Sequence, residues 1–374
     1  MSTALQLRSL VTEDGKLELS LQEVEIPKPG PEEVLVKVEA APINPSDLAL
    51  LTAFADLSSA QQSGSAERPV ITADIPAAAL RLLKGRLGQS LAVGNEGAGE
   101  VIAAGDSEAA QALMGKTVGI VGGETFAQYR CVHHMQCLPL EEGTTAVAGA
   151  SCFVNPMTSL AMVETMRMED HSALVHTAAA SNLGQMLNRI CLADGIPLIN
   201  VVRRAEQEKI LRDLGAKYVV NSSADDFLPT LTEAIAETGA TLAFDATGGG
   251  KLGSQILNCM EAAAARQMSE YNRYGSETFK QLYIYGGLDP SATTLQRTFG
   301  FAWSVSGWLL PLFLKRVGIE KMLEMRARVA SEIHSTFASH YNREVSLAAA
   351  LDLDTLRDYS RQATGAKYLI RPQH

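Results

Sequence analysis

The sequence predicts an α/β protein: a small β domain followed by a doubly wound parallel sheet. Three observations carry this reading. Short β-branched runs separated by turn residues fill the first 150 residues. After Gly149, short apolar runs alternate with segments of helical period. The 374-residue chain is long enough to bury two separate cores. We divide it into a β domain over 1–150, an α/β domain over 151–318 and a closing segment over 319–374.

In the first domain, Leu17–Val24 and Glu33–Ala40 are strand-like, joined by the ring-restricted turn PKPGPEE. Gly99–Ala104, Thr117–Gly122 and Phe126–Val132 follow as further strands. Residues 56–93 are rich in Ser, Ala and Gln, then turn helical at PAAALRLLKGRL. They are expected to interrupt the β domain as an excursion over its surface, either a lid or a decoration. In the second domain, strands are expected at 172–177, 197–202, 216–220, 241–245 and 281–285. Helices are expected at 182–193, 205–214, 226–237 and 249–265. A helical stretch over 346–363 and the strand AKYLI close the chain.

Composition narrows the function classes. The 32 basic and 42 acidic residues leave a net charge of −10, which argues against a general nucleic-acid or membrane surface. The uncharged stretch Phe299–Leu314 carries Ser, Gly and Pro311 and falls short of the roughly 20 apolar residues that a spanning helix needs. It is expected as a buried helix or an interface patch. The N-terminal residues show no basic region followed by an apolar run, and the five cysteines show no CxxC spacing. A reduced, cytoplasmic protein is the expectation.

The first strand of the alternating region runs into TAAASNLGQML. Ala179, Ser181 and Gly184 take the three small-residue places of a dinucleotide fingerprint, with Asn182 and Leu183 between them. Small side chains there allow a tight turn and close approach of a pyrophosphate to a helix N-terminus. The fingerprint predicts an acidic residue about 20 positions on, to hold the ribose hydroxyls. Here 203 − 184 = 19, and the residue is Arg203, followed by Arg204. Arginine there suits a 2′-phosphate, so the expected cofactor is NADPH. Lys209 and Ser222 are candidate further contacts. Thr247 and Gly248, after the fourth strand, and Tyr285 and Gly286, after the fifth, sit at strand carboxyl ends, where open α/β sheets bind ligands.

These pieces together resemble the medium-chain dehydrogenase/reductases, in their zinc-independent quinone-oxidoreductase and 2-enoyl thioester reductase branches. The resemblance rests on AAPINPSDL (40–48), GNEGAGEVIAAG (94–105), NPMTSL (155–160), the fingerprint, INVVRR (199–204), LGAKYVVNS (214–222), DATGG (245–249) and GAKYLI (365–370). It implies a GroES-like β domain, a Rossmann domain and a C-terminal segment that returns to the first domain. It also implies a homodimer that pairs edge strands, with QLYIYGG similar to such a strand. The places of the metal-dependent branch's zinc ligands fall on Asn44, Asn95 and roughly Val154, with Cys152 displaced. Asparagine is a poor zinc ligand and valine is none, so no metal is expected. Asn44, Asp47, Asn95 and Glu96 are expected as a hydrogen-bonded framework instead.

The enoyl reductases resembled here use a tyrosine eight residues after the aspartate of INPSD; that register gives Ala55, between Phe54 and Asp56. The resemblance therefore leads to a small-molecule acceptor that is a quinone or an α,β-unsaturated carbonyl. Two alternatives stay open: an enoyl-CoA or enoyl-ACP reductase, and an NADPH-binding protein with little catalysis. Asn44, Ser46 and Thr158 are the candidate catalytic donors, and Tyr285 is a further one. Asn44 and Ser46 can equally be turn residues around Pro45, and Asn155 can cap a helix that begins at Pro156. The His133–His134 pair ends a predicted strand, where neighbouring side chains point to opposite faces, so it is not expected to chelate.

Overall fold

The computed structural model describes residues 2–364 and 367–374. The chain divides into two compact units, Met1–Val154 with Arg328–His374, and Asn155–Ala327.

The first unit is built on two sheets. One runs in the order Asp56–Gly64, Pro69–Asp74, Lys16–Glu25, Thr3–Val11 and Ser90–Ala92. The other runs Cys137–Pro139, Thr117–Val121, Glu96–Ala104, Glu33–Pro42, Tyr368–Ile370 and Arg343–Val345, with Tyr129–His133 also on Glu33–Pro42. Alternation along these strands sends Leu7, Leu19, Val36, Ile71 and Val101 into one shared core, which the loop residue Phe126 joins. The closing segment supplies Leu351, Leu356, Tyr368 and Ile370 to that same core.

Three expectations are corrected here. Thr3–Val11, not anticipated as a strand, is interior to its sheet, paired along its length with Lys16–Glu25. Residues 56–93 do not interrupt the domain. Asp56–Gly64 and Pro69–Asp74 form a hairpin that extends the first sheet through Lys16–Glu25, and only Ala77–Leu82 is α-helical. Their Ser- and Gln-rich composition is that of a strand with one solvated face. The closing helix is shorter than the 346–363 expected, running Leu353–Ser360 from the N-cap Asp352, whose side chain accepts from the Thr355 N–H. Of the last strand, Gly365 and Ala366 lie outside the described residues, and Tyr368–Ile370 is as expected.

The second unit holds a six-stranded parallel sheet. Its strands are Leu174–His176, Leu198–Val202, Tyr218–Asn221, Leu242–Asp245, Lys280–Ile284 and Trp303–Gly307. The order is 3-2-1-4-5-6, which reverses direction beside the first strand. Helices Asn182–Asp194, Ala205–Asp213, Phe227–Thr238 and Leu252–Ala265 fill the crossovers. Gly195 and Gly239 end two of them in the left-handed conformation that glycine adopts without strain. The 299–314 stretch is not one buried helix: it forms the edge strand Trp303–Gly307, a turn, and a helix from Leu310. Lys280–Ile284, expected at the edge, is interior, between Leu242–Asp245 and Trp303–Gly307. A more apolar run, Ala146–Met168, is long enough to cross a membrane by composition, but it is 83% buried in protein.

Candidate functional site: a polar framework and a nucleotide cradle

In the first unit, register assembles the polar residues. Ala40 faces Ala98 across an antiparallel pair, so the chain leaving at Pro42 comes alongside Glu96. Asn44 then begins the helix Pro45–Leu51, and its backbone N–H donates to Asp47 Oδ2 at 2.7 Å. Its side-chain amide donates to Glu96 Oε1 at 2.8 Å. The other Glu96 oxygen accepts the backbone N–H groups of Phe153 and Val154, each at 2.8 Å. Asn44, Asp47 and Glu96 are all buried.

The two carboxyls differ in kind. Burial raises Glu96, but three donors and the Lys367 ammonium favour its charged form. Asp47 is pushed up to about 7 by burial, with Glu96 adding to the rise, and its Oδ1 has no partner. Asp47 is therefore the carboxyl that holds a proton near neutrality. Burial brings the Lys367 ammonium down to about 8, against the pull of Glu96 and Asp47. Lys367 donates to Ser151 Oγ at 2.7 Å, and Ser151 in turn shares a 2.8 Å hydrogen bond with the Tyr341 hydroxyl.

The three places matched to zinc ligands thus have other work. Asn44 and the Val154 N–H hold Glu96. Asn95 donates to Ser46 Oγ at 3.0 Å. Cys152 is buried against Gly119, where a Cβ on the glycine would lie 2.2 Å from its sulfur. An amide that donates to a carboxylate, and a side chain with no lone pair, do not make a zinc donor set.

Ser46 is exposed while Asn44 is buried. Because Asn95 donates to Ser46 Oγ, the Ser46 O–H remains free to donate outward. Around the missing tyrosine, Ala53 and Phe54 both take positive φ, 49° and 58°, and Phe54 is exposed. Asp56 makes a poor acid, since Ser58 holds its carboxyl below the usual range through side-chain and backbone hydrogen bonds.

In the second unit, the fingerprint turn is built by close approach. Ser181 caps the helix Asn182–Asp194 and accepts from the Gly184 N–H at 3.1 Å. A Cβ on Gly184 would stand 2.2 Å from the Ala179 carbonyl oxygen, so no side chain fits. Arg203 and Arg204 leave the end of Leu198–Val202 exposed to solvent, and Ser222 is tied beside them through its N–H to the Val202 carbonyl at 2.7 Å. Lys209 is turned elsewhere, onto Asp213 at 2.7 Å in an i,i+4 pair.

At the fourth strand's end, Asp245 accepts from the Thr177 hydroxyl at 2.7 Å and from the N–H groups of Thr247 and Gly248. The following glycines are more than a turn, since Gly248–Gly250 pairs with Asp289–Thr293. Gly248 has φ 76°, and a Cβ there would meet the Gly286 carbonyl at 2.7 Å. A cavity of about 350 Å³ opens at the ends of the last two strands, lined by Tyr285, Gly286, Gly307, Trp308, Leu309 and Leu312. The Tyr285 hydroxyl lies 2.7 Å from His176 Nε2. Burial pulls His176 down to about 3, so its imidazole is neutral. His176 Nδ1 is buried without a partner. Placing the proton on Nε2 leaves an acceptor, not a donor, orphaned and frees the Tyr285 O–H.

Comparison with known proteins agrees with this architecture. A Mesorhizobium loti structure provisionally described as an NADPH:quinone reductase is 27% identical, with TM-score 0.73 over 100% of this chain and 99% of that one. The chain is thus similar to proteins of the medium-chain dehydrogenase/reductase superfamily, in its zinc-independent branch. Those proteins combine a GroES-like and a Rossmann domain, and the two units here share those folds. The mitochondrial enoyl-[acyl-carrier-protein] reductase of Xenopus tropicalis is 31% identical over 210 residues, 54% of this chain and 51% of that protein. The match thus spans about half the length of this curated relative. A mutant enoyl thioester reductase of Candida tropicalis shares the fold at 19% identity, TM-score 0.67, over 99% of this chain and 100% of that one. No family model matches.

Among the residues expected from sequence, Asn44, Ser46, Asp47, Asn95 and Glu96 come together in the first unit. Thr158 is buried on the helix Val154–Met168 of the second. That helix begins before Pro156, so Asn155 lies within its first turn, where its carbonyl accepts the Ser159 hydroxyl at 2.8 Å. Lys367, Ser151, Tyr341 and His176 were missed. Lys367 sits inside a quoted motif, yet no local signal ties it to a glutamate far away in sequence.

Proposed function

We propose that the protein is an NADPH-dependent oxidoreductase that reduces a quinone or an α,β-unsaturated carbonyl compound without a metal. The observation that carries this is the pairing of Asn95 with Ser46, which leaves one exposed hydroxyl proton beside a framework of buried polar groups. NADPH would be held by the Ala179–Gly184 turn at its pyrophosphate, and by Arg203, Arg204 and Ser222 at its 2′-phosphate. Thr247, Gly248, Tyr285 and Gly286 would serve its ribose and nicotinamide end. The bound cofactor supplies the hydride.

Ser46 donates a hydrogen bond to the acceptor oxygen, where negative charge develops. Ala55 offers no acid and Asp56 is ionised, so solvent protonates the product. A hydroquinone anion tolerates this, because its charge is delocalised. Reduction of a 2-enoyl thioester is the second reading, favoured by the names of the curated relatives.

The protein acts as a homodimer in a reducing, cytoplasmic setting. The edge strand Trp303–Gly307, with one sheet neighbour and exposed Phe301 and Leu309 flanking it, supports the dimer. Five buried cysteines, none in a disulfide among the described residues, support the compartment.

The test is NADPH oxidation by the purified protein, followed by absorbance with a simple quinone and, separately, with a trans-2-enoyl-CoA. Turnover on the quinone alone is expected. Turnover on the thioester alone would replace the first reading with the second. NADPH binding without turnover on either would point to a binding protein.

A further inference from the structure

The expectation that His133 and His134 face apart fails for a local reason. The strand Tyr129–His133 ends at the first histidine, and a 3-10 turn, His134–Gln136, begins at the second. Strand alternation does not extend across that junction. The two rings end up side by side, with centroids 4.5 Å apart and planes tilted by 32°.

Glu32 completes the group. It lies in the proline-rich connection before Glu33–Pro42, opposite the end of the histidine strand, since Glu33 faces His133. The His134 N–H donates to the Glu32 carbonyl at 2.9 Å. His134 Nε2 lies 3.2 Å from Glu32 Oε2. One ligand atom from each of Glu32, His133 and His134 lies within 4.8 Å of the other two. Among the described residues this is the one such group of three.

We propose that Glu32, His133 and His134 form a binding site for a zinc ion on the surface of the first unit. Two imidazoles are borderline donors that, with one carboxylate, suit Zn²⁺ over Mg²⁺ or Ca²⁺. Three protein ligands leave the fourth tetrahedral position to water. The backbone bond between His134 and Glu32 orders two ligands before the ion arrives. The cost is small: His133 Nδ1 accepts an exposed 3.2 Å bond from the Met135 N–H, which water can replace if that nitrogen ligates. The bound ion would pin the connection at Glu32 to the end of the Tyr129–His133 strand. It is a clamp, and it shares no residue with the Asn44–Glu96 framework.

The experiment is calorimetric titration of Zn²⁺ into the full chain after chelator treatment, with thermal melts alongside. One saturable equivalent is expected, with a higher Tm in zinc and no competition from Mg²⁺. His134→Gln, His133→Gln and Glu32→Gln should each weaken binding about tenfold or more and abolish the rise in Tm. Asn95→Ala should bind zinc as the parent does. Absence of a saturable equivalent overturns the proposal. So does full binding in the histidine variants, or loss of zinc in Asn95→Ala alone.

Discussion

The framework around Glu96 and the cradle around Gly184 are both polar sites, but they are built oppositely. The first is buried side-chain charge: one glutamate, one aspartate, an amide and two backbone N–H groups, with Lys367 answering them. The second is mostly backbone, held open by positions where no side chain fits, with its two arginines in solvent. A buried charge network costs several kcal/mol when one member is removed. Exposed arginines cost the fold almost nothing, so any role of theirs is expected at a ligand. Stability should therefore live in the framework and nucleotide choice in the cradle.

The strongest test of that contrast is Glu96→Ala. It strands the Asn44 amide and the Phe153 and Val154 N–H groups and leaves Lys367 with less compensation. A loss of about 3–5 kcal/mol is expected in urea unfolding. A loss below about 1 kcal/mol would mean the framework is dispensable.

Next comes Ser46→Ala, which removes the exposed donor while leaving Asn95 in contact with water. A fall of about 100-fold in kcat with the quinone is expected, with unfolding unchanged. An unchanged kcat would remove Ser46 from the chemistry.

Arg203→Ala should weaken NADPH binding by about tenfold and leave NADH binding nearly as it was. Equal losses for the two nucleotides would sink the 2′-phosphate assignment.

The last test is a drift with pH. Asp47 ionises at 3.8 in its ordinary state and near 7 in the fold. Its contribution to stability is fully present below about pH 4 and is lost as pH rises towards 7. Asp47→Asn removes that loss, so the variant should gain on the parent between pH 4.5 and 7.5 in thermal melts. A constant difference across that window would show Asp47 to be ionised in the fold.

Much of this was open to reading in the chain itself. Periodicity placed five of the six parallel strands and the four crossover helices of the second unit, because short apolar runs there alternate with helical segments between turn residues; Trp303–Gly307 was missed. The fingerprint, Arg203 and the lost zinc ligands are local facts of residue type and spacing. The site was harder. Asn44, Asn95 and Glu96 are readable as a framework, but sequence does not tell that Ser46 beside them is the exposed one.

What the sequence by itself determined is the fold class, the small-residue fingerprint turn and residue types at Asn44, Asn95 and Val154 that make no zinc donor set. What only the tertiary structure decided is partnership across distance. Residues 56–93 became a hairpin because Lys16–Glu25 offered a free edge. Lys367 met Ser151 because Tyr368–Ile370 docks on Glu33–Pro42. His133 and His134 came side by side because the strand stops between them. The physical reason is the same in each case. Local rules govern backbone conformation, whereas register between strands remote in sequence sets which side chains share a buried volume.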